Sequence, residues 1–150
     1  MKTVIRRVSK ASVESRNSIV GEINQGLLLL VGIEAADTKE DMDWLSRKIC
    51  NLRIFEDESG NMNLSLIDVQ GEALVISQFT LHASTKKGNR PSYSKAAKSE
   101  LAEQKYEAFK LTLANYLGHE IQSGTFGTDM KVSLINDGPV TILLDSKNKE

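Results

Sequence analysis

The sequence predicts one α+β domain, residues 1–150, in which antiparallel strands are combined with two helices. Three observations carry that reading. The first part of the chain runs apolar and polar residues in strand-like segments joined by short turn-forming clusters, which makes an antiparallel start. Two later stretches, Thr38 to Leu52 and Ala96 to Leu117, repeat apolar residues at helical spacing. No repeat or linker divides the 150 residues, a length that can bury a core without metal or disulfide staples.

From Thr3 to Glu14, Val4, Val8 and Val13 mix with Arg6, Ser9, Lys10 and Ser12 in a strand-like run. Ser15-Arg16-Asn17-Ser18 is turn chemistry, so Ile19 to Ile23 returns as a hairpin partner. Asn24-Gln25-Gly26 turns again into Leu27 to Ile33, whose unbroken apolar run suits a strand covered on both faces. Thr38-Lys39-Glu40-Asp41 supplies an N-cap and acids in the first turn. Met42, Leu45, Ile49 and Leu52 then form one helical face, with Cys50 beside it as a packing residue rather than a reactive thiol. Arg53 to Phe55 starts another strand, a charged turn over Glu56 to Asn61 places Gly60 where positive φ is expected, and Met62 to Asp68 is the partner.

Leu74 to Leu81 reads as a buried central strand. The second helix presents Tyr106, Phe109, Leu113 and Tyr116 on one side and ends at Gly118, with His119 as a helix-end residue. Met130 to Ile135 and Thr141 to Asp145 close the fold as two strands, interrupted by Gly138-Pro139.

Composition narrows the function. Net charge is −1 with 26% charged residues, so any nucleic-acid contact has to come from a local basic patch. A single cysteine forbids an intramolecular disulfide and suits a reducing cytoplasm. The longest apolar run, Leu27 to Val31, is too short to span a bilayer, and the N-terminal residues lack an apolar leader, so a membrane partner is not expected. Two scattered histidines and one cysteine offer no zinc spacing, and no nucleophile elbow or glycine-rich phosphate loop is present.

Two segments stand out. Ser77, Gln78, Phe79 and Thr80 set polar side chains into an apolar strand, where an unpaired amide costs roughly 1–3 kcal/mol. Alternation puts Gln78 and Thr80 on one face, Ser77 and Phe79 on the other. The structural alternative is that the hydroxyls bond nearby backbone and Gln78 lies at a sheet edge. The stretch His82 to Lys95 that follows is polar and basic, and Lys86, Lys87 and Arg90, with Lys95 and Lys98, could grip phosphates or be a solvated loop. The second segment is Asn136-Asp137-Gly138-Pro139-Val140-Thr141, whose rigid Gly-Pro step would fix carbonyl oxygens in direction, or simply break an edge strand.

Together, Ser77-Gln78-Phe79-Thr80-Leu81 and Asn136-Asp137-Gly138-Pro139-Val140-Thr141 resemble the two signatures of D-aminoacyl-tRNA deacylases. Arg6-Arg7-Val8, Asn51 to Asp57 and Lys87 to Ser92 are similar to the same family, so the resemblance runs from Met1 to about Asp145. It implies a barrel-like body of antiparallel strands with helices packed outside. It also implies a homodimeric hydrolase, without metal or cofactor, that cleaves tRNA charged with D-amino acids or glycine. By that resemblance the Gly138-Pro139 step is cis and reaches the partner's site, where its main-chain oxygens hold the amino group and exclude L-amino acids. Arg7 braces the step, and Asn136 and Met130 join it in substrate binding. Ser77 to Thr80 line the catalytic site, with the Phe79 and Thr80 amides facing the ester carbonyl. His82 and Thr128 stand where the family pattern has tyrosine and alanine. A non-catalytic tRNA-binding dimer is the alternative from another class.

Overall fold

The computed structural model describes all 150 residues. Its hub is β1 (Lys2–Ser15), a 14-residue strand that pairs with three others. Along one edge its first half meets β3 (Gly26–Gly32) and its second half meets β2 (Ser18–Ile23); along the other lies β8 (Met130–Asp145), all antiparallel. The β1–β2 turn is Arg16-Asn17, both at positive φ, the conformation that matches the twist of the strands it joins.

The expected antiparallel start is therefore present, but the sheet as a whole is mixed. After β3 the chain crosses over through α1 (Lys39–Asn51) and the hairpin β4 (Phe55–Glu56) and β5 (Met62–Leu64), then re-enters as β6 (Glu72–Ser77) parallel to β3. A helical crossover of this kind returns the chain to the end it left, which is what parallel pairing requires. The helix α2 (Ser99–Leu117) is a second crossover, and β7 (Gln122–Ser123), two residues that alternation could not announce, adds parallel to β6. The far edges then approach each other. A Cβ on Gly21 of β2 would sit 3.0 Å from the Ser123 carbonyl oxygen and 3.1 Å from Leu74 Cδ1, so the sheet is nearly closed into a barrel.

Both faces of the sheet are packed. Leu27, Leu29 and Val31 of β3 and Ala73 and Val75 of β6 point outward to α1 and α2, meeting Leu45, Ile49, Tyr106, Phe109 and Leu113. The Tyr106 hydroxyl donates to the Val75 carbonyl at 2.9 Å, which satisfies its buried polar tip. Leu28, Leu74 and Ile76 point the other way, into a smaller cluster with Val8, Ala11, Val13 and Ile23. Alternation of one apolar run between two cores explains why Leu27 to Val31 carries no polar residue.

Several boundaries differ from expectation. The second helix begins at Ser99, not Ala96, and its buried face continues from Leu113 to Leu117, leaving Tyr116 39% exposed. A step of four brings a residue back to the same face, which a step of three beyond Leu113 does less well. The strand expected to reach Leu81 ends at Ser77 and becomes a 3₁₀ turn, Phe79–His82. The two strands expected after Met130 are one, β8, running through Gly138-Pro139. No helix is long and apolar enough to cross a membrane.

The start of α1 has the strongest local chemistry outside the cores. Asp41 N–H donates to the Thr38 hydroxyl, and Thr38 N–H donates to the Asp41 carboxylate at 2.7 Å, a reciprocal cap. Burial opposes ionisation of Asp41. Hydrogen bonds from Lys147, the Thr38 backbone, Ser146 and the Thr38 hydroxyl outweigh it and hold the carboxyl well below the usual carboxylate range. A lowered folded-state pKa gives stability that is present above the unfolded value, near ~4, and lost as pH falls through the folded one. Thr38→Ala is accordingly expected to cost about 1 kcal/mol in urea unfolding at neutral pH. Asp41→Asn should flatten the acid limb of the stability profile; an unchanged profile would remove Asp41 from this role.

Candidate active site

β6 ends where its ladder runs out. Gln78 N–H still donates to the Val31 carbonyl at 2.8 Å, but the chain then bends into the 3₁₀ turn. Gln78 and Thr80 do meet, as alternation predicts, though by a turn rather than along a strand: Gln78 Nε2 donates to Thr80 Oγ1 at 2.6 Å. The first N–H groups of a helical turn have no acceptor within it. Neither the Phe79 nor the Thr80 N–H donates to a turn or loop carbonyl.

Ser77, Gln78 and Phe79 border a cavity of about 620 Å³, whereas Thr80 does not line it. One wall is Ile76 to Phe79; a second comes from Tyr93 and the segment Ala96 to Ala102 at the start of α2; a third is Phe126 to Met130 with Val132 of β8. Small side chains at Ala96, Ala97 and Ala102 leave the room. Met130 Sδ lies only 2.5 Å from where a Cβ on Gly124 would be, so that glycine lets Met130 fold into the wall. At the rim Phe79, 54% exposed, and Tyr93, 39% exposed, meet edge to face with centroids 5.1 Å apart.

The ionisable wall residues are Tyr93, Lys98 and Asp129; no histidine lines the cavity. The sequence singles out neither Tyr93 nor Asp129, and it offers Lys98 only as a possible phosphate contact, not as a cavity wall. The signal available for Asp129 was its place beside Met130 in a segment similar to the family. For the other two there was none, since a basic loop does not reveal which residue folds back. Thr128 also lines the wall, and its hydroxyl bonds Ser15 Oγ at 2.8 Å and the Thr125 carbonyl at 2.9 Å. Cys50, as expected, is buried, and burial pushes its thiol up to about 11, away from reactivity.

The second signature is elsewhere on the surface. Gly138 and Pro139 are exposed, their peptide is cis, and neither lines this chain's own cavity. Asn136 is exposed as well and lies opposite Val8. The register of β8 against β1 shifts between Arg6 and Lys10. A shift flips the pleat: Val132 and Leu134 pack on the smaller cluster, while Val140, Ile142 and Leu144, of the same parity, pack on the larger.

Arg7 holds this corner. Its side chain is 4% exposed, and it donates from Nε to the Asp137 carbonyl at 3.0 Å and from Nη1 to the Ile54 carbonyl at 2.6 Å. The Asp137 and Glu56 carboxylates lie 3.7 and 3.9 Å away. Gly138 has φ of 121°, and a Cβ there would lie 2.8 Å from Arg7 Nη2. The guanidinium and the glycine occupy one space. His82 is buried under the 3₁₀ turn and Nε2 has no hydrogen-bond partner.

Lys86, Lys87 and Arg90 are exposed at the tip of a loop closed at its base by paired Ser84 and Ser92 backbones, at 2.8 and 2.9 Å. The loop is thus an anchored excursion next to the cavity wall at Tyr93 and Lys98.

Comparison with known proteins supports the family resemblance seen in the sequence. Residues 4–145 match the model of the D-Tyr-tRNA(Tyr) deacylase family. The chain is 62% identical to a D-aminoacyl-tRNA deacylase of Flavobacterium psychrophilum and 61% to one of Bacteroides thetaiotaomicron, each over the full length of both chains. Among solved structures it superposes on a c-Myc DNA unwinding element binding protein with TM-score 0.91, 43% identity and coverage of 97% of this chain and 98% of the other. It also shares its fold, at TM-score 0.83 and 15% identity, with a probable eukaryotic D-amino acid tRNA deacylase, covering 95% of this chain and 97% of that one. The chain belongs to the D-Tyr-tRNA(Tyr) deacylase family.

Proposed function

We propose that this protein hydrolyses the ester between a D-amino acid, or glycine, and the terminal adenosine of tRNA. Family membership supplies the reaction class. The observation that supports the site assignment is the cavity at Ser77 to Phe79, at whose wall the turn Phe79–His82 begins. The ester carbonyl oxygen accepts from the Phe79 and Thr80 N–H groups, donors worth about 2.7–4 kcal/mol each when they face a developing oxyanion. Water adds to the carbonyl carbon, the bond to the ribose oxygen breaks, and that oxygen leaves protonated. Free D-amino acid and tRNA are the products.

Thr80 is a poor candidate for the nucleophile. Its oxygen already accepts from Gln78 Nε2, and an amide nitrogen cannot take its proton. The RNA's 2′-hydroxyl, beside the reacting ester, is the better group to activate water. The Gln78–Thr80 hydrogen bond then serves to fix the turn that aims the amides.

Chirality is read by the corner at Gly138 and Pro139. Those residues do not line the active-site cavity of their own chain; in this reading they act on the cavity of a second copy. In support, β8 pairs with β1 alone, its other edge is free over 16 residues, and Ile135 and Leu143 are 59% and 75% exposed. A long free apolar edge is the kind of surface another chain covers. In the homodimer the main-chain oxygens of the corner accept from the substrate's amino group, and an L side chain collides with the backbone. Arg7 keeps the corner in place; Asn136 precedes it, and Met130 contributes to the pocket wall. Lys86, Lys87 and Arg90 meet tRNA phosphates.

The protein is expected to release D-tyrosine from D-Tyr-tRNA, spare L-Tyr-tRNA, and cleave glycyl-tRNA at higher enzyme concentration. Release of neither enantiomer would favour the non-catalytic tRNA-binding reading. D-Tyr-tRNA ending in 2′-deoxyadenosine should be cleaved slowly, and turnover of that substrate at the normal rate would rule out help from the 2′-hydroxyl. Gly138→Ala puts a side chain at strained positive φ and against Arg7, so kcat/KM for D-Tyr-tRNA should fall at least roughly tenfold while sedimentation still reports a dimer. Wild-type kinetics in that variant would refute the role of the corner.

A further inference from the structure

Away from the cavity, α1 from Trp44 onward and the two residues that follow it form a second groove, of about 500 Å³. It is lined by Trp44, Arg47, Lys48, Asn51, Leu52 and Arg53 and shares no residue with the active-site cavity. No acidic side chain lines it. Lys48 Nζ stands 5.8 Å from the centroid of the half-buried Trp44 ring and Lys149 Nζ 5.3 Å. Arg47, Lys48, Arg53 and Lys149 make no ion pair, although acids elsewhere on the chain do. Four cations without a salt bridge, three of them lining the groove and Lys48 and Lys149 over its aromatic ring, in a chain of net charge −1, make a local polyanion site rather than a general one.

The groove is also tied to the chirality-reading corner. Arg53 is fixed by a bond from Nε to the Asn63 carbonyl at 2.9 Å. The next residue, Ile54, gives its carbonyl to Arg7, and Arg7 holds Asp137. A cationic surface and the Gly138-Pro139 corner are therefore parts of one braced unit. When the corner enters a partner's cavity, the groove is carried to the neighbourhood of that cavity.

We propose that the Trp44 groove binds the phosphodiester backbone of the tRNA whose 3′ end occupies the partner subunit's cavity. The occupant rests on the function proposed above; the groove itself does not. Arg47, Lys48, Arg53 and Lys149 pair with phosphates, each neutralised phosphate releasing counterions. Trp44 offers an apolar face on which an unpaired base or ribose can lie. The consequence is that affinity for the tRNA body is separable from chemistry at its end.

Trp44 is the only tryptophan of the chain, so its fluorescence reports the groove directly. Uncharged full-length tRNA should change its emission saturably and less at higher salt, whereas the trinucleotide CCA should not. In the triple variant Arg47→Gln, Lys48→Gln, Lys149→Gln, that titration should weaken and its salt slope should fall by about 2, near ~0.7–0.9 per lost phosphate contact. KM for D-Tyr-tRNA should rise roughly tenfold with kcat retained, and cleavage of the short substrate D-tyrosyl-adenosine should be unaltered. Emission indifferent to tRNA, or a variant with wild-type KM and salt slope, would overturn the inference. A wild-type protein that binds tRNA at Trp44 yet cleaves neither substrate would support the groove and sink the proposed reaction instead.

Discussion

The structure depends on a buried positive charge. Arg7 sits in the middle of the hub strand with its guanidinium 4% exposed, where an unpaired ion could not persist. Its partners are main-chain carbonyls from two distant parts of the chain, Ile54 and Asp137. The acids near it, Asp137 and Glu56, are half-exposed or more and lie at 3.7 Å or beyond, so water screens them and the carbonyls carry the pairing. Because hydrogen-bond geometry is directional, the arginine fixes the course of both segments at once. The entry to the β4–β5 hairpin and the Gly138-Pro139 corner are held relative to the sheet by one side chain.

If the corner has the role proposed for it, that arrangement accounts for how main chain could discriminate between enantiomers. A backbone corner is useful for steric exclusion only if it cannot yield, and an exposed bend in an edge strand would ordinarily yield. Here the bend is backed by the guanidinium, and Gly138 is the residue that makes room for it. On the catalytic side the logic is similar. The turn at Phe79 and Thr80 is shaped by its backbone and by the Gln78–Thr80 hydrogen bond, so in the proposed mechanism the donors need not move during reaction.

Most secondary elements were legible because period and punctuation agree. Met42, Leu45 and Ile49 mark the inner face of α1, Thr38 its cap and Gly118 the end of α2, each for a local reason. What was not legible depended on distant partners. Nothing local distinguishes a strand reaching Leu81 from one that stops at Ser77, because the bend comes from β3 running out of carbonyls to offer. Parallel pairing of β6 and the two-residue β7 reflect the crossovers, not alternation. At the site, the polar residues Ser77, Gln78 and Thr80 and the Gly138-Pro139 step announced themselves by being out of place. Tyr93, Lys98 and Asp129 did not, since each reaches the cavity wall only through the folding of the loops that carry them.

The most direct measurement is a crystal structure of the protein with a non-hydrolysable D-aminoacyl-adenosine analogue. The ligand's amino nitrogen is expected about 3 Å from main-chain oxygens of Gly138 and Pro139 of the partner subunit, and its carbonyl oxygen at the Phe79 and Thr80 amides. An amino group held by side chains of the same subunit, with that corner turned to solvent, would contradict it.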